Sequence, residues 1–256
     1  MTTRPERIAP PRFGLLFLEP RAFLEVAALV PAYPFLRATA RGDGHPVLIL
    51  PGFMTSDLST QVLRRFLRDR GYSAHGWKLG RNRGPSPETA AAMTARLEQL
   101  ADRHGRRVSL IGWSLGGVYA RELARRFPDK VRQVITMAAP FRDVDATNVP
   151  RFLLERRAQL PDEAEFRAVL AAPLPVPSTA IYSRTDGVVA WQSCCEQPGP
   201  MRESIEVGSS HLGMGHNPVV LLTIAERLAQ AEGAWRPFTP PTGWRWPLVP
   251  RVPATA

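Results

Sequence analysis

Cysteine is nearly absent from this chain of 256 residues, and the two that occur, Cys194 and Cys195, are neighbours. A disulfide between adjacent residues would be strained and would close almost no loop, so both are expected as reduced thiols and the cytoplasm as their compartment. Two cysteines without paired histidines leave no metal-ligand spacing, and neither a metal nor an organic cofactor is expected. Lysine is equally scarce, occurring only at Lys78 and Lys130, so arginine carries nearly all of the formal +10 charge. A basic surface favours anionic partners in general, but no zinc-finger spacing, RNA-binding aromatic motif or tight basic run accompanies it, and nucleic acid is not an expected partner. The opening MTTRPERIAPPRFG lacks the basic, apolar and small-residue order of a secretory signal, so export is not expected.

A long uncharged apolar run is missing as well. Residues 13–36 are rich in apolar side chains, yet Glu19, Arg21, Glu25 and Pro20, Pro31 and Pro34 interrupt them, whereas a bilayer span needs about 20 nearly uncharged residues. An amphipathic helix near 20–30 that packs on the domain is expected. Phe23, Leu24, Ala27, Ala28 and Leu29 beside a basic surface make peripheral attachment to a membrane the alternative.

What is present is a 44% hydrophobic chain long enough for one domain with a sizeable core. From residue 46 short apolar runs alternate with helical periodicity, the pattern of a mostly parallel sheet covered by helices on both faces. Strands are expected at 46–50, 71–77, 107–112, 131–138, 178–183 and 204–208, with helices at 58–70, 87–104, 115–127 and 218–230. Three regions follow: an N-terminal segment at 1–43, the main domain at 44–231 and a Pro- and Trp-rich tail at 232–256. Residues 141–177 read either as a helical cap or as a plain crossover. The tail holds Trp235, Trp244 and Trp246 and is expected to lie against the domain or a partner.

The chemistry-bearing motif is Gly112-Trp113-Ser114-Leu115-Gly116-Gly117, a G-x-S-x-G directly after an apolar strand and directly before a helix. That placement puts a serine on a sharp turn, with glycines where side chains would crowd, and aims a helix N-terminus at developing negative charge. A serine hydroxyl needs a base. His211 and His216 follow the nucleophile, and His211, just after the strand at 204–208, is favoured; His216 abuts the last helix, where capping or packing is an ordinary role. Asp186, at the end of the strand at 178–183, is the expected acid, with Asp143 and Asp145 as competitors. The amide of Leu115 is one expected oxyanion donor and that of Phe53 the other, with Met54 its neighbour. Asp57 reads as an N-cap for the helix at 58.

With these residues in place the chain resembles lipases and esterases of the α/β-hydrolase superfamily over residues 44–231, most of all compact bacterial ones with G-x-S-x-G-G and a histidine-hydrophobe-glycine loop. The resemblance implies the α/β-hydrolase fold, Ser114 as nucleophile, Asp186 as acid, His211 within G-x-x-H-x-G as base, and Phe53 with Leu115 as oxyanion donors. Pro51 departs from the pattern where many relatives carry histidine, and the H-G-G-G run of lipases is absent. The expected reaction is cleavage of a small-molecule carboxylic ester through an acyl-enzyme. Met54, Trp113, Phe141, Trp191, Leu212 and Met214 are the candidates for a pocket that holds an apolar acyl or aryl group. An acyltransferase using the same acyl-enzyme, and a non-catalytic scaffold, are the rival readings.

Overall fold

A computed structural model describes residues 7–150 and 168–239. Six strands form one all-parallel sheet: β1 (Pro46–Leu50), β2 (Ser73–Gly76), β3 (Val108–Trp113), β4 (Val131–Met137), β5 (Ser178–Tyr182) and β6 (Arg202–Glu206), in the order β2-β1-β3-β4-β5-β6. Every residue of β1, β3, β4 and β5 is buried, which is why these strands are dominated by apolar side chains rather than alternating with exposed polar ones. The last strand lies two residues earlier than its apolar run suggested, because Arg202 and Glu203 pair in register with Ser178 and Thr179.

The sheet divides the core in two. Val47, Ile49, Ile111, Ile135, Ile181 and Ile205 point to one face, and there they meet α1 (Ala22–Arg37), α2 (Gln61–Asp69) and the last described helix, Pro218–Leu228, whose Asn217 side chain caps the amides of Val219 and Val220. Leu48, Leu50, Val108, Leu110 and Val134 point to the other. They meet α3 (Pro87–His104), capped by the Ser86 hydroxyl and ended by left-handed Gly105, and α4 (Leu115–Arg126). This is the period-two alternation of a strand expressed as two layers of helix.

Because β2 lies on one side of β1 and β3 on the other, the chain reverses its winding between β1 and β3, and the crevice at their carboxyl ends is where such sheets gather their chemistry. Within the expected cap region, residues 141–150 and 168–177 are described, and Thr147 makes an isolated bridge to Val189; residues 151–167, with most of the helical pattern read there, lie outside the described residues. So do Trp244 and Trp246. Of the tail, Phe238 is buried and its amide donates to Glu203 at 2.7 Å.

Candidate active site

Ser114 occupies a strained backbone position, φ 53° and ψ −122°, between the last residue of β3 and the first of α4. The amide of Ser114 donates to Met137 O at 2.8 Å and its carbonyl accepts the Gly117 amide at 2.9 Å, so the turn is fixed on both sides. A side chain at 116 would bring its Cβ within 2.2 Å of Leu50 O; glycine lets the turn sit against the end of β1. Strain of this kind persists where surrounding structure over-determines it, and it clusters at functional sites.

Asp186 and His211 arrive from later strands of the sheet. Asp186 follows β5 and His211 follows β6, and His211 Nδ1 lies 2.7 Å from Asp186 Oδ2. The other carboxylate oxygen accepts the amides of Val188 and Val189 at 2.8 Å each. Both side chains are buried. Burial works against the imidazolium, but the charge of Asp186, its hydrogen bond and the charge of Glu19 outweigh it, and the His211 pKa stands above the usual 6.5. The Trp113 ring, one residue before Ser114, lies 6.4 Å from the His211 ring, which joins the β3 turn to the β6 loop. His216 donates its amide to Gly213 O and leaves Nε2 buried without a partner among the described residues. Asp143 accepts the amides of Ile8 and Asp145.

The loop after β1 closes the other side. A Cβ on Gly52 would lie 3.4 Å from Ser114 Cβ, so this loop touches the turn. The Met54 amide is taken by Asn82 O at 2.6 Å, whereas the amides of Phe53 and Leu115 have no acceptor among the described residues. Buried Asn82 fastens the whole loop: its side-chain nitrogen donates to Pro51 O at 2.9 Å and its amide to Thr55 O at 2.7 Å. Sequence reading missed Asn82, because a single asparagine in a Gly- and Arg-rich stretch looks like a turn residue. Asp57 does not cap α2, which begins at Gln61; it accepts the amides of Trp77 and Lys78 instead, tying the loop after β1 to the end of β2.

The residues expected to line a pocket are scattered. Met54 and Leu212 are exposed, Trp113 and Met214 are in the core, and Trp191 stacks on Tyr182 with the Arg184 guanidinium 4.1 Å from its centroid. Phe141 is buried with Ala139 and Ala180 and carries the Arg121 guanidinium 3.9 Å from its centroid. An apolar cavity of about 180 Å³ opens instead between α3 and α4, lined by Ala90, Met93, Leu115, Val118, Tyr119 and Val144. Leu115 links it to the neighbouring Ser114. The sequence hid this cavity because its residues are ordinary core positions of two helices distant in sequence.

The family model described as the alpha/beta hydrolase family matches residues 47–254. Among solved structures the chain is similar to lipase B of Aspergillus fumigatus, with TM-score 0.54 and 16% identity over 77% of this chain and 56% of that one. It is also similar to a structure of the metagenome-derived lipolytic enzymes LipS and LipT, with TM-score 0.52 and 19% identity over 74% of this chain and 93% of that one. A third is an alpha/beta hydrolase fold protein from Nakamurella multipartita, with TM-score 0.50 and 18% identity over 73% and 93%. At these identities the likeness is one of fold, and the chain spans little more than half the length of the Aspergillus lipase.

Proposed function

Starting from the fact that the chain belongs to the alpha/beta hydrolase family, we propose that it is a serine esterase that cleaves a carboxylic ester with an apolar acyl group. The observation that supports this most directly is the buried Asp186–His211 hydrogen bond at the same end of the sheet as strained Ser114. In this reading Ser114 Oγ attacks the ester carbonyl carbon while its proton passes to His211 Nε2. The tetrahedral oxyanion accepts the free amides of Phe53 and Leu115. Collapse breaks the bond to the alcohol, which leaves with the proton from His211; water then attacks the acyl-enzyme, gives its proton to the same imidazole, and the acid departs as Ser114 regains its hydrogen. Asp186 holds the imidazole in one tautomer and favours its protonated form. The acyl chain lies in the cavity between α3 and α4. Lipolytic names among the fold neighbours agree with this reading.

The test is labelling with a fluorophosphonate beside the assay of p-nitrophenyl esters. Wild type is expected to label at Ser114 and to turn over, and Ser114→Ala to do neither while keeping its circular dichroism. A folded, unlabelled wild type overturns the reading in favour of a scaffold.

The reading also assigns a surface. The 3-10 stretch Phe13–Arg21 and α1 turn their acidic residues, Glu19 and Glu25, toward the domain, and leave Phe17 75%, Phe23 80% and Val30 79% exposed. This is an amphipathic arm with its polarity inverted. Exposed Arg7 and Arg12 flank it at one end and Arg37 and Arg41 at the other, and no acidic residue lies on its outer face. An apolar ridge framed by arginines is complementary to an anionic lipid surface. No helix of the described residues is long and apolar enough to cross a membrane, so such contact is peripheral.

A further inference from the structure

Glu19 is buried in an arm where a carboxylate would ordinarily stand in water. Its Oε1 accepts the amide of Gly187 at 2.8 Å and the amide of His211 at 3.0 Å, and its Oε2 accepts the amide of Leu212 at 2.9 Å. Burying a carboxylate is costly unless hydrogen bonds to the charged form offset it, and three main-chain donors do so here. The donors are not scattered: one belongs to the residue after Asp186, the other two to His211 and its neighbour. A single side chain therefore grips the acid loop and the base loop at once. Gly187 is what lets the arm come so close, since a Cβ there would lie 2.5 Å from Leu15 O. Two further arm residues support the grip. Glu25 accepts the Ser209 hydroxyl and the Ser210 amide at 2.7 Å each, and Arg21 donates to the carbonyls of Thr185 at 2.9 Å and Ser209 at 2.7 Å.

We infer that Glu19 is a positioning residue for the Asp186–His211 couple, holding base and acid in register from an N-terminal arm that lies outside the sheet. The inference rests on the esterase reading of the site. It follows from reach: the Asp186–His211 bond joins two loops from adjacent strands, and the same carboxylate fixes the main chain of both, so rotation of either loop would lengthen that bond. Displacements of about 1 Å at such a site can lower turnover on the order of 100-fold. Glu19 also contributes charge. The charged groups facing the His211 loop are Asp186 from the strand side and Glu19, Arg21 and Glu25 from the arm, and both Asp186 and Glu19 favour the imidazolium.

The experiment compares wild type, Glu19→Gln and Glu19→Asp in kcat, KM and the pH dependence of kcat/KM, with the His211 imidazole titration followed by NMR. Glu19→Gln is expected to lower kcat by about 10- to 100-fold with KM for a short ester little changed. Its acid limb and its His211 titration are expected to move to lower pH, because one negative charge is gone. Glu19→Asp keeps the charge but is one methylene short of both loops, so kcat falls while limb and titration stay near wild type. An unchanged kcat in Glu19→Gln, or a fall in kcat with limb and titration unmoved, overturns the inference. Loss of the folded far-UV spectrum by both variants makes Glu19 a strut of the fold and also overturns it. Failure of the esterase reading is distinguishable: it leaves wild type unlabelled at Ser114, while the NMR titration still reports whether Glu19 acts on His211.

Discussion

Asp186 divides its carboxylate between two tasks: one oxygen receives His211 Nδ1 at 2.7 Å, and the other is pinned by the amides of Val188 and Val189. The carboxylate cannot rotate away without losing all three. Asp186→Asn is therefore expected to keep the fold and to lower kcat by about three to four orders of magnitude, because the amide can hold the imidazole in the wrong tautomer. His211→Ala is expected to be at least as severe, and His216→Ala to change kcat/KM little. The opposite ranking of the two histidines, in a p-nitrophenyl butyrate assay, moves the base to His216.

The raised pKa of His211 sets the direction of the pH dependence. The base must be unprotonated, so kcat/KM is expected to rise with pH through an acid limb lying above the 6.5 of an ordinary histidine. Stability runs the other way. A group whose pKa is raised by folding contributes stability that is full below its unfolded value and is lost as pH climbs through the folded one. Turnover and the His211 contribution to thermal stability should therefore cross in that window, and an acid limb below pH 6.5 in wild type contradicts the pairing.

The sheet was legible because four of its six strands are buried on both faces and glycine and proline punctuate the chain between elements, and the serine turn because strand, glycine and helix coincide at residues 108–117. The pairing of Asp186 with His211 was legible from their order after the serine and their places at strand ends. What composition hid was relational. Glu19 reads as a break in an apolar run until the arm is seen folded onto two loops 168 and 192 residues away. Asn82 reads as a turn, and the cavity residues read as core. Pro31 and Pro34 read as breaks in the apolar run 13–36, but they are accommodated inside α1, which continues to Arg37. The contact of Phe141 with a buried arginine was equally hidden, because Arg121 is distant in sequence.

Filling the cavity between α3 and α4 should retune acyl preference. Ala90 is half-buried on its wall, so Ala90→Phe adds volume there without displacing a core side chain. Its activity ratio for longer over shorter p-nitrophenyl esters is expected to fall about tenfold, since each methylene excluded from an apolar site costs about 1 kcal/mol. An unchanged chain-length profile places the acyl chain elsewhere.

Arg121 and Glu196 form a fully buried ion pair behind the site, with Phe141 on one face of the guanidinium. Removing one partner leaves a charge in the interior. Glu196→Ala is expected to destabilise the fold by about 3 to 5 kcal/mol in urea unfolding, whereas replacing both with apolar residues of similar volume should cost less than the single change. Equal losses in the single and double variants would deny coupling between the two.

The inverted arm makes the last prediction, and its variants must spare the inward face, because deleting the arm would also remove Glu19. Phe17, Phe23 and Val30 are exposed, and their apolar side chains make none of the hydrogen bonds that hold the two loops, so Phe17→Ser, Phe23→Ser and Val30→Ser together leave those bonds intact. Wild type is expected to co-sediment with vesicles containing phosphatidylserine, less with vesicles of phosphatidylcholine alone, and progressively less as salt screens the arginines. The triple variant should lose vesicle binding and keep short-ester turnover. If wild type ignores both vesicle types, the ridge is covered by protein: a concentration-dependent dimer that the triple variant abolishes identifies a second copy, and a monomer that the variant destabilises identifies another segment of the same chain. Either result removes lipid as the partner of this face while leaving the chemistry at Ser114 untouched.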